Sequence, residues 1–375
     1  MMIENRPMPW GQMMAFNGVL SLLGVLVAFP MKRRFINDEQ LPFPEGYAAG
    51  IVMDNLHSGQ GAEGVFKAKL LGVGAAVSAA IETMCNEKVM GVLRLHWANL
   101  PAHWDDLGYK WFTPRIMGTP LKDLTVQFDT SIVMVAAGGL MGTKTAASLM
   151  IGAIVNYLIL APYLISKGII VGTGFKNITM WALWGGVALM TTSSIYSFLS
   201  KPKVILESFR GMFGKKKARD EDVLKDIELP MWLFAAGIPV VGLLTVWMGH
   251  IFFDIHWWLG VIAIPLVFVF TLIAVNATGL TSITPTGALG KLTQLTYSVL
   301  APGNIQTNIM TAGITGEVAS SAANLLMHIK PGYMLGGKPR HQAAGHTLGI
   351  IAGALVAVPV FYAIMNNDLT VLMSD

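Results

Sequence analysis

Apolar runs of helix length recur along the chain, separated by short polar breaks. A helix needs roughly 20 mostly apolar residues to cross a hydrocarbon core. Trp10–Met31, Thr143–Ile165, Thr179–Leu199, Met231–Phe253, His256–Val275 and Ala343–Met365 meet that requirement. Ala68–Met84, Leu124–Gly142 and Ile305–His328 are more polar but still long enough. Two segments are broken, Leu41–Gly61 and Asn276–Asn304, and both are dense in Pro, Gly, Ser, Thr and Asn. The pattern predicts an all-α polytopic membrane protein, a bundle of about nine to eleven transmembrane or re-entrant segments.

Composition agrees. Of 375 residues, 53% are hydrophobic and 13% charged, and the mean hydropathy is +0.56. A soluble domain carries about 25% charge, so this chain has too few charges to coat a soluble surface. Helix-length runs also exclude an outer-membrane barrel. The single cysteine, Cys85, excludes an internal disulfide and any multi-cysteine metal site. The N-terminal stretch MMIENRPMPWGQMMAF lacks the pattern of a cleavable signal. The stretch PTGALGKLT resembles a phosphate loop, but Pro285 stands where its first glycine belongs and no strand precedes it. No cofactor is expected.

The net charge of +4 is small, and the basic residues cluster in loops, so they report topology and not a nucleic-acid partner. The basic stretch Lys201–Glu228 is expected in the cytoplasm, as are Lys32, Arg33 and Arg34 at the end of the first span. That orientation puts Glu87–Asp123, rich in Trp and His, outside. It also makes Leu41–Gly61 a hairpin that enters and leaves by one face. Three regions follow: a first membrane bundle over 1–200, a basic linker over 201–229, and a second bundle over 230–375.

Within the first broken segment, Pro44 suits the first position of a helix, and Glu45 falls in its first turn, where the dipole favours negative charge. Irregular backbone is tolerated in a membrane only where protein covers it or water fills a cavity beside it. Two Pro/Gly-broken segments, one in each half, are the pattern of internal-repeat transporters whose half-helix ends form a site near the midplane. Glu317 lies near the middle of a span, where a charge costs several kcal/mol. At 100° per residue, Gln306, Gly313, Glu317, Ser320, Asn324 and His328 share its face. Such a carboxylate either exchanges a proton or is hydrogen-bonded to a neighbouring helix. Glu82 and Asp129 are weaker candidates, and Glu63 and Lys67 have the spacing of a helix-surface ion pair. Lys330, Lys338 and Arg340, in the connection Ile329–Gln342, could hold a carboxylate or phosphate. The pairs His341/His346 and His250/His256 lack the spacing of a metal site. His96, His103, Asp105 and Asp106 could gather a metal in the outer loop.

Three blocks resemble the oligopeptide transporter (OPT) family on its bacterial, yellow stripe-like side: LPFPEG at Leu41–Gly46, GLTSITPTGALGKLTQL at Gly279–Leu295 and KPGYMLGGKPRHQ at Lys330–Gln342. In the third block Pro331 replaces the usual threonine and Gly337-Lys338 replaces Ala-Thr. Family members are about twice as long, so the chain resembles the middle of one, truncated at both ends. The resemblance implies a proton-coupled secondary transporter of small peptides or metal–chelator complexes in a bacterial inner membrane. It implies that Pro44, Glu45, Gly46, Tyr47, Thr284, Pro285, Gly287, Asn324, Lys330, Tyr333 and Arg340 line the substrate path, with Glu317 and Glu82 coupling the proton. Two alternatives stay open. The chain could be a subunit whose missing spans come from a partner chain or a second copy, or a membrane enzyme using the outer His/Trp/Asp loop.

Overall fold

The computed structural model describes residues 8–58, 62–95, 97, 99–101, 103–109, 111–199 and 229–364. Helix α1 (Trp10–Lys32) continues through a π-helical turn, Arg33–Asp38. Then come α2 (Pro44–Ser58), α3 (Ala62–Cys85), α4 (Glu87–Leu93) and α5 (Asp105–Tyr109). A two-residue hairpin, Arg115–Ile116 with Thr119–Pro120, is the only sheet among the described residues. It is followed by α6 (Ile132–Met141), α7 (Thr143–Ala153), a π-helical stretch Ile154–Leu160 and α8 (Ala161–Ser166). The remaining helices are α9 (Phe175–Leu199), α10 (Met231–Phe253), α11 (Trp257–Thr281), α12 (Thr286–Leu300), α13 (Ile305–Met334) and α14 (Pro339–Ile364). Six helical stretches among the described residues are long and apolar enough to cross a bilayer. The protein is an all-α polytopic membrane protein.

The chain divides into two compact units, Met1–Tyr47 with Met190–Asp375, and Ala48–Leu189. The first helix therefore belongs with the last five. The linker expected at 201–229 lies almost wholly outside the described residues.

In the first unit, α13 is the hub, packed by α1, α11, α12 and α14. It is too polar to rank among the six apolar spans, because its inward faces are built from small and hydroxyl residues. Val318, Ala319, Ala322, Ala323, Leu325, Leu326 and Ile329 are fully buried, and Thr307, Thr311 and Thr315 nearly so. Thr311 and Thr315 satisfy their hydroxyls on the carbonyls of Thr307 and Thr311, four residues back. Between membrane helices lipid removes the hydrophobic drive, so close van der Waals packing of small residues supplies much of the association. Gly24 of α1 shows how close that packing is. A Cβ there would lie 2.7 Å from Ser321 Cβ and 2.8 Å from the Val318 carbonyl oxygen. Gly24→Leu is expected to destabilise the fold by about 1–3 kcal/mol, the usual cost of overpacking. Gly18→Leu, where a Cβ meets nothing within 4 Å, should leave the thermal midpoint in detergent unchanged.

In the second unit, Leu124, Ala161 and Ile178 form a small core. The span expected over Leu124–Gly142 is not formed, since only Ile132–Met141 is helical. Polar groups hold its first part as irregular chain. Thr125 is left-handed (φ 59°), Asp105 Oδ1 accepts the Phe128 N–H at 2.8 Å, and the Asp123 carbonyl accepts the Gly174 N–H. The basic triplet after the first span is also not a plain loop. Lys32 and Arg34 are buried, and Arg34 Nε pairs with Glu39 Oε1 at 3.0 Å.

Candidate functional site

Three sequence blocks meet at one place in the first unit. The Phe43 N–H donates to the Gly279 carbonyl at 2.8 Å. The Glu45 N–H donates to Ser282 Oγ at 3.0 Å, across 237 residues. Lys330 Nζ donates to the Leu41 carbonyl at 2.7 Å, across 289 residues. Gly279 is tightly covered, because a Cβ there would lie 2.6 Å from Leu41 Cδ1. Gly46 rests against the Met327 carbonyl oxygen, leaving no room for a Cβ.

Local chemistry explains the fit. Proline at 331 has no N–H to return to the Met327 carbonyl one turn earlier, so that oxygen is open to another partner. Glycine at 46 lets the first turn of α2 lie directly on it. Pro44 opens α2 as the sequence predicts, with Glu45 in the first turn. The loop before it is strained, because Gln40 (φ 49°) and Phe43 (φ 43°) adopt a left-handed conformation that L-residues avoid. Burial of the Phe43 side chain and its bond to Gly279 hold that conformation.

The second block breaks between α11 and α12. Its hydroxyls hydrogen-bond the backbone groups that the break leaves without helical partners. Thr281 Oγ1 accepts the Ile283 N–H at 3.1 Å, Thr278 and Thr284 share a hydroxyl bond at 2.9 Å, and Ser282 caps Glu45. The two half-helix starts therefore differ. At the N-terminus of α2 the Glu45 N–H is already taken by Ser282 Oγ. The N-terminus of α12 has Pro285 as N-cap and no side-chain cap, and Gly287 there is exposed. An uncapped N-terminus with positive dipole attracts an anion. Lys330 is 7% exposed and pairs directly with no carboxylate among the described residues, so its ammonium is held by the Leu41 carbonyl, while Glu45 is the exposed acidic side chain of the cluster.

The other candidates fall around this cluster or away from it. Tyr47 is exposed beside it; Tyr333 is exposed and Arg340 half-buried on either side of the turn 335–338. Asn324 is half-buried on the polar stripe of α13. Glu317 on the same stripe accepts the Ser21 hydroxyl at 2.8 Å. It is exposed, because the apolar and alanine faces of α13 take the packing and the stripe is left uncovered. Glu82 lies in the other unit, where it accepts the Ser131 hydroxyl at 3.2 Å in a polar recess with Cys85 and Asp129. The Glu63 side chain, His96 and the Asp106 side chain lie outside the described parts. Asp105 holds the Phe128 backbone, and no group of three or more His, Cys, Asp or Glu able to hold a metal occurs among the described residues.

The sequence reading missed Ser282, Gly279 and Met327 as partners of the LPFPEG turn. The proline at 331 was the available signal for Met327, since it frees the carbonyl four residues back.

The chain is 24% identical to the metal-nicotianamine transporter YSL2 of Oryza sativa subsp. japonica, over 94% of this chain and 53% of that protein. It is 24% identical to the metal-nicotianamine transporter YSL1 of Arabidopsis thaliana, over 94% of this chain and 54% of the relative. It is 22% identical to the iron-phytosiderophore transporter yellow stripe 1 of Zea mays, over 95% and 54% respectively. The chain thus spans about half the length of the curated relatives it matches. The sequence profile of the OPT oligopeptide transporter protein family matches residues 1–373, and the chain belongs to that family.

Proposed function

We propose that this chain forms the substrate-binding part of a membrane transporter for metal–chelator complexes, with the meeting of its three sequence blocks as the binding place. The observation that carries the reading is the Lys330–Leu41 bond together with the Phe43–Gly279 and Glu45–Ser282 bonds. They bring a buried ammonium and an uncapped helix start into one cluster, which favours an anionic substrate. The names of the relatives favour a metal chelate over a peptide. The polar stripe of α13 supplies a hydrophilic track through an otherwise apolar bundle. Glu317, held by Ser21, is the group on it that can take up and release a proton, and Glu82 is the secondary candidate.

The test is uptake into proteoliposomes holding the chain alone, offered labelled iron–nicotianamine and a labelled short-peptide mixture, with and without an inward proton gradient. Accumulation of the chelate that depends on the gradient is expected. Folded, inserted protein that accumulates neither would contradict the reading and favour a subunit role. Glu317→Gln is expected to remove the gradient dependence and leave chelate binding in place. An unchanged response to the gradient would remove Glu317 from the mechanism.

A further inference from the structure

His328 and His346 are far apart in sequence but meet across α13 and α14. Their ring centroids are 5.7 Å apart at an interplanar angle of 56°. His328 is exposed at the end of the polar stripe, and His346 is half-buried. Neither ring makes a hydrogen bond among the described residues, so neither is explained as a structural histidine. His250 is the contrast, since its Nδ1 lies 2.9 Å from the Ile255 carbonyl, 5 residues away in sequence. Gln342 stands one turn before His346 on the same face of α14. Its Nε2 donates to the His328 carbonyl at 3.0 Å, while its Oε1 is buried without a partner. An unsatisfied buried acceptor is costly and calls for an explanation.

We infer that His328 and His346 form a two-imidazole site for a borderline transition-metal ion of the Cu²⁺, Ni²⁺, Zn²⁺ or Fe²⁺ class, with the unpartnered Gln342 side-chain oxygen one turn before His346 as the nearest further donor on α14. Imidazole suits these ions. With a metal–nitrogen distance of about 2.0–2.1 Å, each ring centroid lies about 3.2 Å from the ion. Two rings on one ion are then about 4.5 Å apart at a right angle and about 6.4 Å apart when opposed. The observed separation falls inside that window. Two imidazoles leave coordination positions open, which suits an ion that arrives with its own donors. As a step in metal–chelate transport the site rests on the proposed function; as an ion site it stands on this geometry.

The test uses the full chain purified without a polyhistidine tag and titrated with Cu²⁺ alone. One equivalent is expected to bind, with a two-nitrogen superhyperfine pattern in its electron paramagnetic resonance spectrum. His328→Gln and His346→Gln should each weaken binding at least tenfold, and His341→Gln should not. In the unmutated chain, the same equivalent should protect His328 and His346, but not His341, from diethyl pyrocarbonate, read by peptide mass spectrometry. Binding that persists unchanged in both variants, or the absence of such protection, overturns the site. This readout is independent of uptake. Failed uptake with an intact Cu²⁺ signal counts against the transport reading alone, and uptake without that signal counts against this site alone.

Discussion

Gly46→Ala is expected to lower uptake at least tenfold and to reduce the yield of folded protein. The added methyl would fall on the Met327 carbonyl oxygen. Both partners are backbone, so neither can swing aside as a side chain would. Overpacking of this kind costs about 1–3 kcal/mol of stability, which falls on the turn that holds the proposed binding place together. The displacement would also pull the Glu45 N–H away from Ser282 and unseat the first turn of α2. Gly353→Ala on α14, where a Cβ meets nothing within 4 Å, is the control and should behave as the unmutated chain. Uptake and thermal midpoint, measured side by side, check the prediction. Equal values for Gly46→Ala and the control would mean that α2 does not lie on α13 as described.

Lys330→Met is expected to have the second-largest effect. The lysine stem is buried, and its ammonium supplies the hydrogen bond that the structure shows to the Leu41 carbonyl. Methionine keeps much of the stem volume but leaves that carbonyl without its donor, at a cost of about 1–3 kcal/mol. It also deletes the positive charge of the cluster. A lower thermal midpoint and a raised KM for an anionic chelate are both expected. Lys330→Arg should not restore the thermal midpoint, because a planar guanidinium cannot replace a compact ammonium at one buried carbonyl. A lower midpoint with unchanged KM would leave Lys330 as a clamp on the LPFPEG loop and remove it from substrate binding.

Much of this arrangement was legible in the chain. Helix-length apolar runs located the spans, with Met231–Phe253 matching α10 at both ends and Trp10 opening α1. Pro44 marked the start of α2 because its missing N–H has no cost at a first helical position. The break near Pro285 was visible from its hydroxyl and glycine content. The failures have physical causes. The expected span over Leu124–Gly142 failed because apolar residues there cover a small core around a loop, and periodicity alone does not separate the two uses. The apolar span expected to end at His328 continues as helix α13 through Pro331 to Met334, since a proline near a helix end frees only one carbonyl, and Gly46 packs against it. Glu317 is central in its helix yet exposed, because burial is set by which face packs. The His328–His346 contact was invisible to a search for i, i+4 pairs, because it forms between helices. The LPFPEG, GLTSITP and KPGY blocks each looked modest; their convergence is a tertiary fact that no local pattern encodes.

The most direct test of the central claim is substrate protection at the meeting point of the three blocks. In a Cys85→Ser background the chain has no other cysteine, so Tyr47→Cys places one reactive thiol at a 42% exposed position in the first turn after Phe43, whose carbonyl accepts the residue 47 N–H. Its labelling by a maleimide in proteoliposomes is followed with and without iron–nicotianamine. The account predicts that the chelate slows labelling over the same concentration range in which uptake saturates. Labelling that proceeds at one rate while uptake is fully saturated would contradict it and move the substrate site elsewhere in the chain.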